Sequence, residues 1–181
     1  MKQDVPASVE LHTLSRAGAF PNNQRLAVVV YHAAFAAEAP DALAREFERT
    51  FSDNGWSGNW RDVVYAYHHY HSTAHEVLGC YAGQARVQVG GPDAPVVEVR
   101  AGDVLVLPAG TAHCSLQASP DFRVVGAYDG GRKHAIRCGV ASEHPKVDRE
   151  IASVPVPTLD PVYGERGEVP RSWRMDQTAL V

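Results

Sequence analysis

Apolar and polar residues roughly alternate over residues 8–14 (Ser-Val-Glu-Leu-His-Thr-Leu), the pattern of a strand with one covered face. Residues 26–32 (Leu-Ala-Val-Val-Val-Tyr-His) are apolar almost throughout and predict a more buried strand. Gly18 and the Pro21-Asn22-Asn23 cluster supply the loop between them. One segment has helical spacing. Leu43, Phe47 and Phe51 recur every four residues among charged groups, Asp41 can act as N-cap, and Asn54-Gly55 offers a left-handed stop. This amphipathic helix is expected to cover a sheet.

From Arg61 onward the chain reads as strand after strand. Residues 63–71 are β-branched and aromatic; 76–81, 85–89, 96–99, 104–107, 113–116 and 122–128 follow, split by Gly, Pro and Asp. Many short strands at even spacing predict a sandwich or barrel. The tail changes character. Pro145, Pro155, Pro157, Pro161 and Pro170 predict an extended arm over residues 145–181. The expected organisation is a single domain of 181 residues, with N-terminal strands and a helix at 8–55 and a barrel core at about 62–130. The N-terminal strands and the arm exceed a minimal barrel and are expected to cover a sheet edge, with a homodimer as one way of doing so.

Charge narrows the partners. Seventeen basic residues stand against 21 acidic ones, and no basic block exceeds Arg132-Lys133-His134, so a nucleic-acid partner is not expected. Three cysteines, Cys80, Cys114 and Cys138, form no CxxC pair, which fits reduced thiols in a cytoplasmic protein. The N-terminus carries no signal-like apolar run, and the stretch 26–37 is too short to span a membrane.

The chemistry concentrates in His68-His69-Tyr70-His71-Ser72-Thr73-Ala74-His75-Glu76. On a strand, His69 and His71 share one face while His68 and Tyr70 take the other. Two imidazoles at i and i+2 can grip one ion. A carboxylate from the next strand and a third imidazole would complete a cage, and the tight turn shaped by Pro108 and Gly110 delivers His113 at the start of a strand. Glu76 and His75 are adjacent, so only one of them can face inward. By the same parity Tyr65, Tyr67, Leu78 and Cys80 either line the cavity or pack the core. Cys114 should point away from it. Arg86 or Arg123 could meet an anionic substrate, although a solvated arginine is the simpler reading.

These residues resemble the two motifs of the cupin family. The first runs His69, His71, Glu76, Gly83; the second runs Gly102, Pro108, Gly110, His113, with Gln117 where the motif closes on asparagine. The motifs and the spacer between them cover residues 69–117. The resemblance implies an all-β, cupin-type double-stranded β-helix (a jelly-roll barrel) with one N-terminal amphipathic helix. It implies His69, His71, Glu76 and His113 as ligands of one divalent transition metal, selecting Glu76 over His75. His75 and His68 are then expected outside the barrel, in reach of a subunit contact. A nitrogen-rich set with one carboxylate suits Fe, Mn, Ni, Zn or Cu better than Ca or Mg. Proteins similar to this one include oxygenases, isomerases and non-catalytic binders. The expectation is therefore a metal-dependent, dioxygenase-like enzyme acting on a small chelating organic acid or similar molecule. A sugar or keto-acid isomerase and a small-ligand binding module are the alternatives.

Overall fold

In the computed structural model, which describes residues 1–175, two antiparallel sheets face each other. Nine strands make them among the described residues: β1 (Ser8–His12), β2 (Val28–His32), β3 (Trp56–Asp62), β4 (Glu76–Ala82), β5 (Gln84–Val89), β6 (Val96–Arg100), β7 (Val104–Leu107), β8 (His113–Ala118) and β9 (Arg123–Asp129). The larger sheet has the order β1-β2-β7-β4-β9-β3 and the smaller β6-β5-β8. The chain crosses between sheets rather than meandering, as a jelly roll does.

The strand sequences follow from what covers each face. β5 and β6 alternate because one face of the small sheet meets water: Ala85, Val87, Val89, Val97 and Val99 are buried and Arg86 and Glu98 are exposed. β7 and residues 28–31 of β2 are apolar or aromatic because both faces of the large sheet are covered there. Val28, Val30, Leu78, Leu105, Leu107 and Val124 pack inward against the small sheet. Val29, Tyr31, Val77, Val106, Val125 and Ala127 pack outward against the helical layer. Each fully buried side chain of this kind is worth about 1.5–3 kcal/mol.

That helical layer is larger than the one helix expected. α1 (Pro40–Asp53) buries Leu43, Ala44, Phe47 and Phe51 on the sheet. Its N-cap is Ala39 without a side-chain cap bond, so Asp41 lies in the first turn behind Pro40 instead of capping it. The C-terminal arm is not extended. It carries α2 (Lys146–Ser153) and α3 (Glu168–Met175). Proline misleads here because it starts helices as readily as it breaks them: Pro145 is the N-cap of α2 and Pro170 lies in the first turn of α3. The arm also lies on a face, not an edge, placing Val162, Val169 and Trp173 in the outer core beside α1. Residues 176–181 of the expected arm lie outside the described residues. No helix among the described residues is long and apolar enough to cross a membrane.

The other difference concerns residues 63–71. They form no regular strand; β3 falls earlier, and isolated bridges, His69 to His113 and Tyr70 to Arg137, tie the segment down in place of a continuous ladder. Ser115 N donates to Tyr65 O, while His69 and His113 exchange backbone bonds at 3.2 and 2.9 Å. The two registers differ, and bends at Ala66 and Tyr67 absorb the mismatch. Composition favoured a strand, but the ladder is interrupted where the chain steps across from one sheet to the other.

Candidate metal centre

Four elements converge at one end of the space between the sheets. Glu76 opens β4, the central strand, and lies opposite Tyr128 of β9. His113 opens β8 of the small sheet, delivered by the turn at Pro108–Gly110. Gly110 is required in that turn: its φ is +92°, and a Cβ would meet Ile151 at 2.6 Å. The irregular segment before β4 brings His69 and His71. All four side chains are buried. The structure thus gathers the four residues that sequence singles out, around a cavity of about 260 Å³ that each of them lines.

The three imidazoles are oriented alike. Nδ1 of His69 faces the carbonyl of Tyr67, Nδ1 of His71 that of Ala135, and Nδ1 of His113 that of Thr111, each at 3.0 Å. A carbonyl only accepts, so each Nδ1 carries the proton when the ring is neutral. Each Nε2 then presents a lone pair. His71 Nε2 stands 3.6 Å from Glu76 Oε1 and His113 Nε2 stands 3.4 Å from Oε2, too far for full hydrogen bonds. Among the described residues Oε2 is buried without a hydrogen-bond partner. The His69 ring centre lies 4.2 Å from that of His113 and 6.0 Å from that of His71. Among the described residues, no three or more His, Cys, Asp or Glu side chains stand in ready-made coordinating positions.

Charge is finely divided here. Burial alone would push the Glu76 carboxyl up, but His71, His113 and the Tyr128 hydroxyl hold it down at about 2, so it is an anion at neutral pH. Burial lowers His113 to about 3 and lowers His69 as well. His71 also pays for burial, yet the Glu76 carboxylate outweighs this and raises it. The same carboxylate therefore faces one imidazole that tends to take a proton and one that refuses it. The more completely buried ring is the one that stays neutral.

Sequence reasoning missed three neighbours. Tyr128 lies opposite Glu76 on β9, and burial raises its hydroxyl, which keeps its proton. Trp60 Nε1–H donates to Tyr128 Oη at 3.1 Å. The indole reaches this position because Gly126 lacks a Cβ, which would lie 2.1 Å from the Trp60 ring. His134 stacks on Tyr128, 3.6 Å between centres, and stands edge-on to His71. Tyr128 shared its strand parity with Val124, but nothing in the sequence reveals that β9 pairs with β4.

Other expectations resolve individually. Tyr65 and Leu78 line the cavity, and Tyr67 backs Tyr65 at its rim; Cys80 is buried outside the lining, its thiol bonded to Ala82 O. Cys114 points away, with Sγ 3.4 Å from His68 Nε2. Arg86 and Arg123 are exposed and absent from the cavity. His75 does point away from the cavity, but it is not at a surface. It is wholly buried beneath the C-terminal arm, with Ala109 N–H donating to its Nδ1 at 2.9 Å, Pro155 O facing its Nε2 at 3.3 Å and the Trp173 ring against it. His68 is half-buried beside Phe20. The outward face of the sheet is a second core, which is why outward here does not mean exposed.

Residues 65–151 match the family described as Cupin. The uncharacterized protein YjlB of Bacillus subtilis (strain 168) is 36% identical over 156 residues, covering 86% of this chain and 91% of that protein. Among solved structures, the coconut allergen cocosin matches with a TM-score of 0.38 and 23% identity over 44% of this chain, which spans 23% of that one. Acireductone dioxygenase from Bacillus anthracis, solved with a cadmium ion in its active centre, matches with a TM-score of 0.37 and 17% identity, covering 52% of this chain and 62% of that one.

Proposed function

The chain belongs to the cupin family, and on that premise we propose that it is a metal-dependent enzyme, dioxygenase-like, acting on a small chelating organic molecule. The ligands would be His69, His71, Glu76 and His113, for one divalent transition ion. One observation carries the reading: three buried imidazoles commit Nδ1 to backbone carbonyls and leave Nε2 free around a carboxylate with an unpartnered oxygen. Backbone acceptors of this kind fix the tautomer of metal-binding histidines. Neighbouring donors on an ion at about 2.1 Å lie about 3–3.4 Å apart, so spacings of 3.4 and 3.6 Å need only small side-chain rotations. The cavity on the open side leaves room for them. A buried anion also demands a positive partner. Its ionic contacts among the described residues are histidines alone.

When bound, the ion would polarise a chelating substrate and, if it is iron, bring dioxygen to it. The protein's own groups do the rest. Tyr128 holds its proton on Oη and orients Glu76; Trp60 Nε1–H orients Tyr128. Val64, Leu78 and Ile136 keep the walls apolar. The test is anaerobic loading with Fe(II), followed by oxygen uptake against 2-keto acids, 1,3-diketones, catechols and thiols. Turnover of one class supports the reading. NMR-detected isomerisation with Mn(II) or Zn(II) instead, or tight binding with no turnover under any metal, would replace it with the isomerase or the binding module. The homodimer is part of the same proposal: among the described residues β1 leaves one edge of the large sheet unpaired and exposes Val9 and Leu11. Light scattering that shows only monomer throughout the micromolar range removes it.

A further inference from the structure

Resting on the metal-site reading above, we infer that the cavity selects a chelator with one flat, apolar or aromatic body and at most one negative charge, and that it rejects polycarboxylates. Charge is the first argument. Apart from histidines, the described lining holds one cationic side chain, Arg61. It is already taken: Nε and Nη2 grip the Glu48 carboxylate at 2.7 and 2.9 Å, and Nη1 lies 3.5 Å from Asp41. This bidentate fork, with Asp41 beside the third nitrogen, ties the guanidinium to carboxylates of the chain itself. Asp62 adds an anion to the same rim. Three neutral imidazoles and Glu76 around a divalent ion sum to one positive charge, which a single anionic head neutralises. A second carboxylate on the ligand would lie beside Asp62 with no free cation to meet it.

Size and shape give the second argument. At about 30 Å³ per water-sized group, 260 Å³ holds about nine such groups, one ring with its chelating atoms. The walls are flat. Tyr65 stacks on Tyr67 with 7° between planes and 5.1 Å between centres, and both rings lie within 5.5 Å of His69. Tyr128 and His134 form a second stacked pair. Tyr65 is 37% exposed and Ile136 47%, so large apolar groups stand open at the rim where a ring would enter.

The experiment holds the chelating head constant and varies the body. Full-length protein is loaded with Co(II), metal content is measured, and calorimetry compares acetohydroxamate, benzohydroxamate and the monohydroxamate of succinate. The phenyl body should bind about tenfold tighter than the methyl body, and the carboxylate-tailed one about tenfold weaker. Tyr65→Ala should cut the phenyl-to-methyl ratio to less than threefold, with Tyr67→Ala as a second variant and near-ultraviolet circular dichroism confirming the fold of both. Protein that carries Co(II) but binds all three alike, prefers the carboxylated ligand or binds none overturns this inference and leaves the metal site standing. Protein that takes up no Co(II) overturns both.

Discussion

Two buried histidine settings lie next to each other in this molecule, and their difference separates structure from chemistry. Beneath the C-terminal arm, His75 uses both ring nitrogens: Nδ1 accepts from Ala109 N–H and Nε2 faces Pro155 O. In the cavity between the sheets, His69, His71 and His113 each commit Nδ1 to a backbone carbonyl, and Nε2 of His71 and of His113 stands within 3.6 Å of Glu76. Burial is similar in both places. What differs is commitment. A buried ring satisfied at both ends fixes a fold, whereas three rings satisfied at one end around a carboxylate are the setting in which we propose a metal ion. The covalent distance between these settings is one peptide bond, from His75 to Glu76, and strand parity sends them to opposite faces.

The largest effect should come from breaking the first setting alone. Trp173 is fully buried against His75, and its Nε1–H donates to Ala27 O. Trp173→Ala should lower unfolding free energy by about 3–5 kcal/mol in urea titrations. Metal stoichiometry of the folded fraction should not change.

The next effect is pH-dependent. Burial lowers His75 to about 3 in the folded protein against an ordinary value of about 6.5. Below about pH 6.5 the unfolded chain binds a proton that the folded one refuses, so stability falls as pH drops from 6.5 toward 3. By pH 5 the loss from this group is about 2 kcal/mol. His75→Gln should remove that part of the slope, read as the difference between the pH–stability curves of the two proteins. Parallel curves would mean that His75 is not held neutral.

Removing the hydroxyl that orients Glu76 tests the second setting gently. Tyr128→Phe should weaken metal affinity by about 10–100-fold while the fold stays intact, measured by competition with a chromophoric chelator. The smallest effect is expected outside both settings. Arg86→Ala and Arg123→Ala, on exposed positions away from the cavity, should stay within about 0.5 kcal/mol of the parent and leave metal affinity unchanged.

Much of this was legible in the sequence for reasons that are local. Alternation in 85–89 and 96–99 reports one covered face, and the unbroken runs at 28–31 and 104–107 report two. The spacing of His69, His71 and Glu76 and the turn before His113 are local as well, and the structure brings those four together. What failed depended on long-range packing. Prolines at 145 and 170 look like breakers, yet Pro145 is the N-cap of one short helix and Pro170 lies in the first turn of another. The covered outward face of the large sheet turned His75 from an expected surface residue into a core one. Tyr128 and His134 join the site through strand order and through a loop after β9, neither of which has a sequence period to read.

Metal content measures the central claim most directly. Wild-type protein, dialysed against a buffered panel of Fe(II), Mn(II), Ni(II), Cu(II) and Zn(II), should retain about one ion per chain of at least one metal by elemental analysis. The His71→Ala, His113→Ala double variant, with unchanged far-ultraviolet circular dichroism, should retain none, while His75→Gln retains the wild-type amount. Full occupancy in the double variant, or no bound ion in the wild type, would contradict the account.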